Sequence, residues 1–312
     1  NMADMISYTM SSPLLVVVFL LSIHVHAYEA VGLLRTHACV PDPLLPESVR
    51  TQQPLDHICA GFLDVTKPPF NAVGDGVSDD SQALQQGLDT AYYYRMILWL
   101  PAGRIFQVSQ QLRCVQNTKP LVMREYGYQL VGSNGGNKNP ELLPPPIIRL
   151  ADYSTVNQNV LLYFQLLIDG VESAPSQYSA MIRGIDIDLG NNPNVAGISM
   201  SGAQLCSIED VTVRGENFYA GVLGLPGSGG FTSNLMVDGG QVGVWQQQYR
   251  PNPSITGLVL HNQSECGVVL TNSRGPLVLS GFEIIASQQD HSPNGYTAIC
   301  IESSEKQQQQ QQ

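Results

Sequence analysis

The chain has 312 residues, 43% hydrophobic and only 13% charged, with a formal net charge of −11 at pH 7. That is ample apolar material for a large core and excludes a disordered chain. The acidic balance and the lack of any Lys/Arg cluster exclude a nucleic-acid surface and an anionic-membrane surface, and leave a neutral polymer or a Ca2+-bridged anionic one as partner.

The chain opens with an apolar run from Pro13 to Ile23, followed by Val25-His26-Ala27 at the spacing of a cleavage site. This predicts a secretory signal over residues 1–27, although the segment before the run carries Asp4 and no Lys or Arg. The run is shorter than the about 20 residues a bilayer span needs, and a buried N-terminal helix is the competing reading. An extension over residues 28–60 comes next. Six cysteines (Cys39, Cys59, Cys114, Cys206, Cys266, Cys300) and a sequon at Asn262-Gln263-Ser264 suit an extracellular, oxidising setting. The cysteine pairing stays open, and no Cys stands at metal-ligand spacing. No metal or cofactor is expected.

From residue 61 to 303 the sequence reads as one domain. Asp75-Gly76 signals a turn, and Ser78-Asp79-Asp80-Ser81 supplies caps for an amphipathic helix along Leu84, Leu88 and Ala91. Ile97–Leu100 and Ile105–Val108 then read as strands around Pro101-Ala102-Gly103, and further strands follow at residues 129–131, 147–150 and 161–164. Residues 133–146 read as a loop.

Beyond Met181 the pattern becomes periodic. Alternating segments centred on Ile187, Val213, Val237, Leu260 and Ile284 follow one another at steps of 26, 24, 23 and 24 residues. A second series, Gly197-Ile198, Gly221-Val222, Gly243-Val244 and Gly267-Val268, keeps step, and Thr297-Ala298-Ile299 extends it. Two series with one period mean stacked units, and units this short that alternate apolar with polar residues are strands. The predicted fold class is therefore all-β: a right-handed parallel β-helix solenoid with an N-terminal capping helix. Ile185, Ile187, Val211, Val213, Leu235, Val237, Leu258 and Leu260 should point inward as ladders, with the glycines at bends. The last coil lacks a cap, which predicts further chain, and residues 304–312 form a Gln-rich low-complexity tail.

The words Asn71-Ala72-Val73-Gly74-Asp75-Gly76-Val77-Ser78-Asp79-Asp80 and Leu100-Pro101-Ala102-Gly103 resemble the opening of the pectate-lyase-like β-helix superfamily. Gly202-Ala203-Gln204, Gly227-Ser228-Gly229-Gly230-Phe231 and Asp238-Gly239-Gly240-Gln241 resemble, within it, the exo-β-1,3-glucanases of glycoside hydrolase family fifty-five. That resemblance implies an inverting hydrolase built of two tandem β-helices. The general acid would lie in a second β-helix missing from this chain, and Gln204 and Ser228 would hold the attacking water.

Gln204 and Ser228 lie 24 residues apart, one coil, so they should stack about 5 Å apart. The alternative is turn side chains bonded to nearby backbone. Asp188, Arg214, Asp238 and His261 follow the inward positions of successive coils and should form an outward column able to bind sugar hydroxyls, or else a solvated charge ladder. Asp188 and Asp238, two coils apart, would be separated by about 9.6 Å, the upper edge of inverting geometry. Trp245 takes an outward parity and could stack on a pyranose, or contact a long turn. Asp79 and Asp80 read as caps rather than a catalytic pair. The functional expectation is a secreted glycoside hydrolase acting on β-1,3-glucan. The alternatives are a Ca2+-dependent polyuronide lyase built on Asp188, Arg214 and Asp238, and a non-catalytic glycan-binding module.

Overall fold

The structure is a computed structural model. It describes residues 39–118, 127–133, 143–168, 170–173, 177–247, 252–271, 275–286 and 295–302. The chain divides into two compact units, residues 1–42 and 43–312. The predicted signal segment, most of the 133–146 loop and the Gln-rich tail lie outside the described residues.

The second unit is a right-handed parallel β-helix. Each coil has three legs. Met181–Arg183 and Asp186–Asp188 are separate short strands, and both pair in parallel with the single strand Ser207–Arg214 of the next coil. That strand pairs with Phe231–Asp238, which in turn carries Ser254–Thr256 and Val259–His261. Among the described residues these first two legs build a 14-stranded sheet. The third legs build an 8-stranded sheet, including Val160–Ile168, Asn191–Ser199, Asn217–Leu223, Val242–Gln247, Cys266–Thr271 and Thr297–Glu302. Val171–Ser173 departs from the parallel pattern, pairing antiparallel with Val160–Ile168.

The bend between the first two legs falls at Gly184, Asp210, Asn234, Gly257 and Gly281, with φ of 67°, 53°, 50°, 72° and 60°. Left-handed backbone suits Gly and, among other residues, Asn and Asp best. The two non-glycine bends support each other, since Asn234 Nδ2 donates to Asp210 Oδ1 at 2.9 Å.

The interior is a set of aliphatic ladders. Phe106, Ile148, Ile187, Val213, Val237 and Leu260 occupy one register position in successive coils, and all are fully buried. Each such side chain contributes roughly 1.5–3 kcal/mol relative to exposure. The eight inward positions predicted from Ile185 to Leu260 are all buried. The second series stacks as expected: Leu162, Ile198, Val222, Val244, Val268 and Ile299 are in register.

The glycines of that series have a different role from the predicted one. Gly197, Gly221, Gly243 and Gly267 are not at left-handed bends. They face inward where the two sheets press together. A Cβ on Gly221 would lie 2.6 Å from Val237 Cγ1 and 2.7 Å from the Gly243 carbonyl, and one on Gly243 would lie 2.8 Å from Leu260 Cδ2. Packing, not turning, requires glycine here.

Two short helices, α1 (Glu47–Gln52) and α2 (Leu55–Cys59), precede the first strand, Phe62–Asp64. Val49 and Ile58 belong to the main core, so the end of the predicted extension packs with the β-helix. The capping helix α3 (Ser81–Tyr93) buries Leu84, Leu88 and Ala91 on one stripe, and these join Leu63, Leu98 and Leu130 in the core. Its predicted caps divide differently from expectation. Asp80 is the N-cap residue but makes no side-chain cap bond to the helix. Its carboxylate accepts from the Val73 and Gly74 amides, at 2.7 and 2.9 Å. Asp79 accepts from the Ser81 amide at 3.0 Å and from Ser109 Oγ at 2.6 Å. Both carboxylates are spent on joining helix, loop and strand. Cys266 and Cys300 form a disulfide between the last two third-leg strands; Cys59 is also disulfide-bonded, and Cys114 and Cys206 are buried thiols.

Candidate functional site

The outer surface of the 14-stranded sheet carries most of the chemistry-bearing side chains. Alternation within Ile185-Asp186-Ile187-Asp188 turns both isoleucines into the core and both aspartates outward. Two residues along a strand span about 6.6 Å. Asp188 Oδ2 accepts from Arg149 Nε at 3.2 Å, and Asp188 Oδ1 accepts from the Gly190 amide at 3.1 Å. Asp186 Oδ2 lies 3.6 Å from Arg214 Nη1. Burial raises the Asp186 pKa above its ordinary 3.8, and the Arg214 charge and a hydrogen bond from Thr212 oppose that rise only in part.

The register places Asp188, Arg214, Asp238 and His261 in one column, at neighbouring positions of successive coils. Arg149 extends the column one coil toward the cap. The polar contacts do not simply run along it. Arg214 reaches back to Asp186, Asp238 accepts from Asn262 Nδ2 at 2.7 Å, and His261 Nε2 meets Glu283 Oε1 at 2.6 Å. Arg183 lies 3.9 Å from Glu209 and 3.8 Å from Asp210. Each of the arginines Arg149, Arg183 and Arg214 is thus within ion-pair distance of a carboxylate.

Gln204 and Ser228 stand elsewhere. Each is the second residue of a turn leading from the second sheet into the first. The bonds Cys206 N to Ala203 O (3.1 Å) and Gly230 N to Gly227 O (3.0 Å) close the two turns equivalently. The strand Phe231–Asp238 separates Ser228 from Asp238, so this pair and the acidic column are distinct places on the surface. Trp245 lies on the outer side of the other sheet. Its Nε1 donates to Thr271 Oγ1 at 2.7 Å, its ring meets Tyr219 at 5.7 Å, and it packs on a small apolar cluster with Ala220, Val242 and Val269. It is half-buried and remote from the column. Val242 sits in that outer cluster, whereas Val244 is in the main core, so Gly243 breaks the simple alternation.

Sequence reasoning passed over Asp186 and Arg149. The inward parity of Ile185 and Ile187 was a sufficient signal for Asp186. Arg149 precedes Asp188 by 39 residues instead of one period, and only the pairing of Ile147–Leu150 with Asp186–Asp188 reveals it. Among the described residues no three His, Cys, Asp or Glu side chains are grouped to hold a metal ion. No helix among them is long and apolar enough to cross a membrane.

Comparison with known proteins adds the following. The family model described as rhamnogalacturonase A/epimerase, pectate lyase-like, matches residues 65–292. No curated protein matches the chain. Among solved structures, the Azotobacter vinelandii mannuronan C-5 epimerase AlgE4 A-module is similar at 15% identity and a TM-score of 0.35, over 78% of this chain and 76% of that one. PfbA, a surface adhesin of Streptococcus pneumoniae, is similar at 14% identity and a TM-score of 0.32, over 76% and 67% of the two chains. The Agl-KA catalytic domain follows at 9% identity and 0.25, over 78% and 69%.

Proposed function

Since the chain belongs to the rhamnogalacturonase A/epimerase, pectate-lyase-like family, we propose that it is a secreted polysaccharide hydrolase that cuts glycosidic bonds with inversion at the Asp186–Asp188 pair. The observation that carries this reading is two carboxylates on one strand face in unlike surroundings. Inverting hydrolysis needs carboxyl groups about 6.5–9.5 Å apart, one protonated and one not. Two residues along a strand set the backbone positions about 6.6 Å apart, and the carboxylates turn toward Arg214 and Arg149 on opposite neighbouring coils. Asp186, its pKa raised by burial, is the general acid: it passes its proton to the glycosidic oxygen as the bond to the anomeric carbon breaks. Asp188, held by Arg149 and the Gly190 amide, is the base. It takes a proton from the water whose oxygen bonds to the anomeric carbon. The Cys266–Cys300 disulfide supports an oxidising, extracellular setting.

Two substrates have support. Arg149, Arg183 and Arg214 each already have a carboxylate partner, which favours a neutral chain over a polyuronate, and the like turn positions of Gln204 and Ser228 favour β-1,3-glucan as that chain. The family's name favours a pectic backbone instead. Sugar release from laminarin, rhamnogalacturonan and polygalacturonate, with and without chelator, separates the two. Hydrolysis that survives chelator, is lost in both Asp186→Asn and Asp188→Asn, and gives the inverted anomer by proton NMR is the expected result. Chelator-sensitive release of unsaturated products would replace hydrolysis with elimination. Full activity in either variant would remove the pair from the mechanism.

A further inference from the structure

The outer face of the capping helix carries a feature that hydrolysis does not use. A cleft with lobes of about 730 and 850 Å3 runs along α3, and Gln85, Asp89, Gln110 and Gln111 line both lobes. These volumes lie in the range of small-molecule sites.

Two of the cleft's amides are structural. Gln85 Nε2 donates to the Arg113 carbonyl at 2.8 Å and to Asp89 Oδ1 at 3.0 Å, and its Oε1 accepts from the Arg113 amide at 2.8 Å, which fixes the helix to the strand Leu112–Thr118. Gln111 Nε2 donates to the Val160 carbonyl at 3.0 Å. The amides of Gln82, Gln86 and Gln110 make no side-chain hydrogen bond to any described residue, and all three are exposed. At the helix end Tyr93 is 76% exposed, and Tyr94 meets it edge-on at 4.8 Å. At the strand end Arg113 donates to Gln165 at 3.2 Å and faces Asp89, so the charges of the cleft cancel. Tyr128, stacked on Tyr92 at 4.4 Å, braces the wall by donating to Asp89 at 3.2 Å.

This is the chemistry of a neutral sugar site. A carboxamide gives one acceptor and two donors for hydroxyl pairs, and an exposed aromatic ring offers a flat apolar surface for the face of a pyranose. The lack of net charge in the cleft, on a chain of net charge −11, gives a polyanion no purchase. We infer that the cleft on the capping helix is a second glycan-binding site, separate from the Asp186–Asp188 pair, and that it takes a neutral oligosaccharide with Tyr93 as the stacking platform and Gln82, Gln86 and Gln110 as the hydroxyl-reading groups.

The inference goes beyond the hydrolytic reading and does not need it. Calorimetric titrations of the full chain carrying Asp186→Asn, with laminarihexaose, cellohexaose and hexagalacturonate, keep binding apart from cleavage. The expected result is saturable binding of a neutral hexasaccharide that weakens about tenfold on adding Tyr93→Ala and further with Gln82→Ala and Gln86→Ala, at unchanged melting temperature. Binding indifferent to all three changes, binding of hexagalacturonate alone, or no saturable binding would each overturn the site. If no polysaccharide is ever cleaved but Tyr93-dependent binding is found, the cleft stands and only the hydrolytic reading fails.

Discussion

Asp186 and Asp188 share a strand and a face, yet Asp186 stands 3.6 Å from Arg214 while Asp188 accepts hydrogen bonds from Arg149 and the Gly190 amide. Burial raises the Asp186 pKa, and Arg214 and Thr212 both pull it back. Activity should therefore fall on the alkaline side as pH rises through that raised value, and Arg214→Gln or Thr212→Val should move this limb to higher pH; a limb that stays put in both would assign it to another group. The sign for stability follows from linkage. A carboxyl with a raised folded-state pKa stabilises below its unfolded value, and that contribution is lost as pH rises through the folded value. Asp186→Asn should thus flatten the fall in melting temperature across this window. Loss of either carboxyl should lower the hydrolytic rate by about 10²–10⁴-fold. Gln204→Ala or Ser228→Ala should lower it on laminarin only if the turn pair holds water for a β-1,3-glucan. The pair Asp186 and Asp188 was legible in the alternation of one tetrapeptide. Arg149 was not, because an insertion separates it from the periodic part of the chain.

At the scale of the strand and the turn, the periodic segments were the most legible part of the chain, since each inward residue repeats the chemistry of the one stacked on it. The glycine series was found correctly and explained wrongly. A glycine looks the same in a sequence whether the backbone must turn or a neighbour must come close, and only the facing Val237 and Leu260 side chains decide between the two. Gly221→Ala tests the packing explanation: overpacking of this kind costs about 1–3 kcal/mol, seen as a lowered midpoint in urea with the slope retained. Val213→Asp, which places an unpaired charge in the ladder, should prevent folding or lower the melting temperature far more. The caps of α3 show a similar limit. Asp79 and Asp80 were placed correctly at the helix start, but the partners of their carboxylates, Ser109, Val73 and Gly74, come from elements brought together only by the coil.

At the scale of the molecule, the two ends of the solenoid differ. Helix α3 covers the first coils, whereas Val278, Phe282, Ile285 and Ile301 are exposed around the last described one. The Cys266–Cys300 bridge, with a sequence separation of 34, ties that coil to the one before it. Replacing both cysteines with alanine should lower stability by about 2–4 kcal/mol, with amide exchange accelerated first in Thr297–Glu302; uniform acceleration would mean that the bridge steadies the whole stack. Which cysteines pair was not legible, because Cys266 and Cys300 are brought together only through the register of successive coils, while Cys114 and Cys206 remain thiols. The stacked left-handed bends at Gly184, Asp210, Asn234, Gly257 and Gly281 have a wider consequence. A few residues inserted within a leg would throw every later side chain out of step, turning core residues toward solvent. A full repeat, or extra length at a corner, would disturb nothing above or below it. Duplication or loss of complete repeats, and growth of corner loops, are therefore the changes that this architecture can absorb as a lineage diverges, with new specificities arising at the corners while the shaft persists.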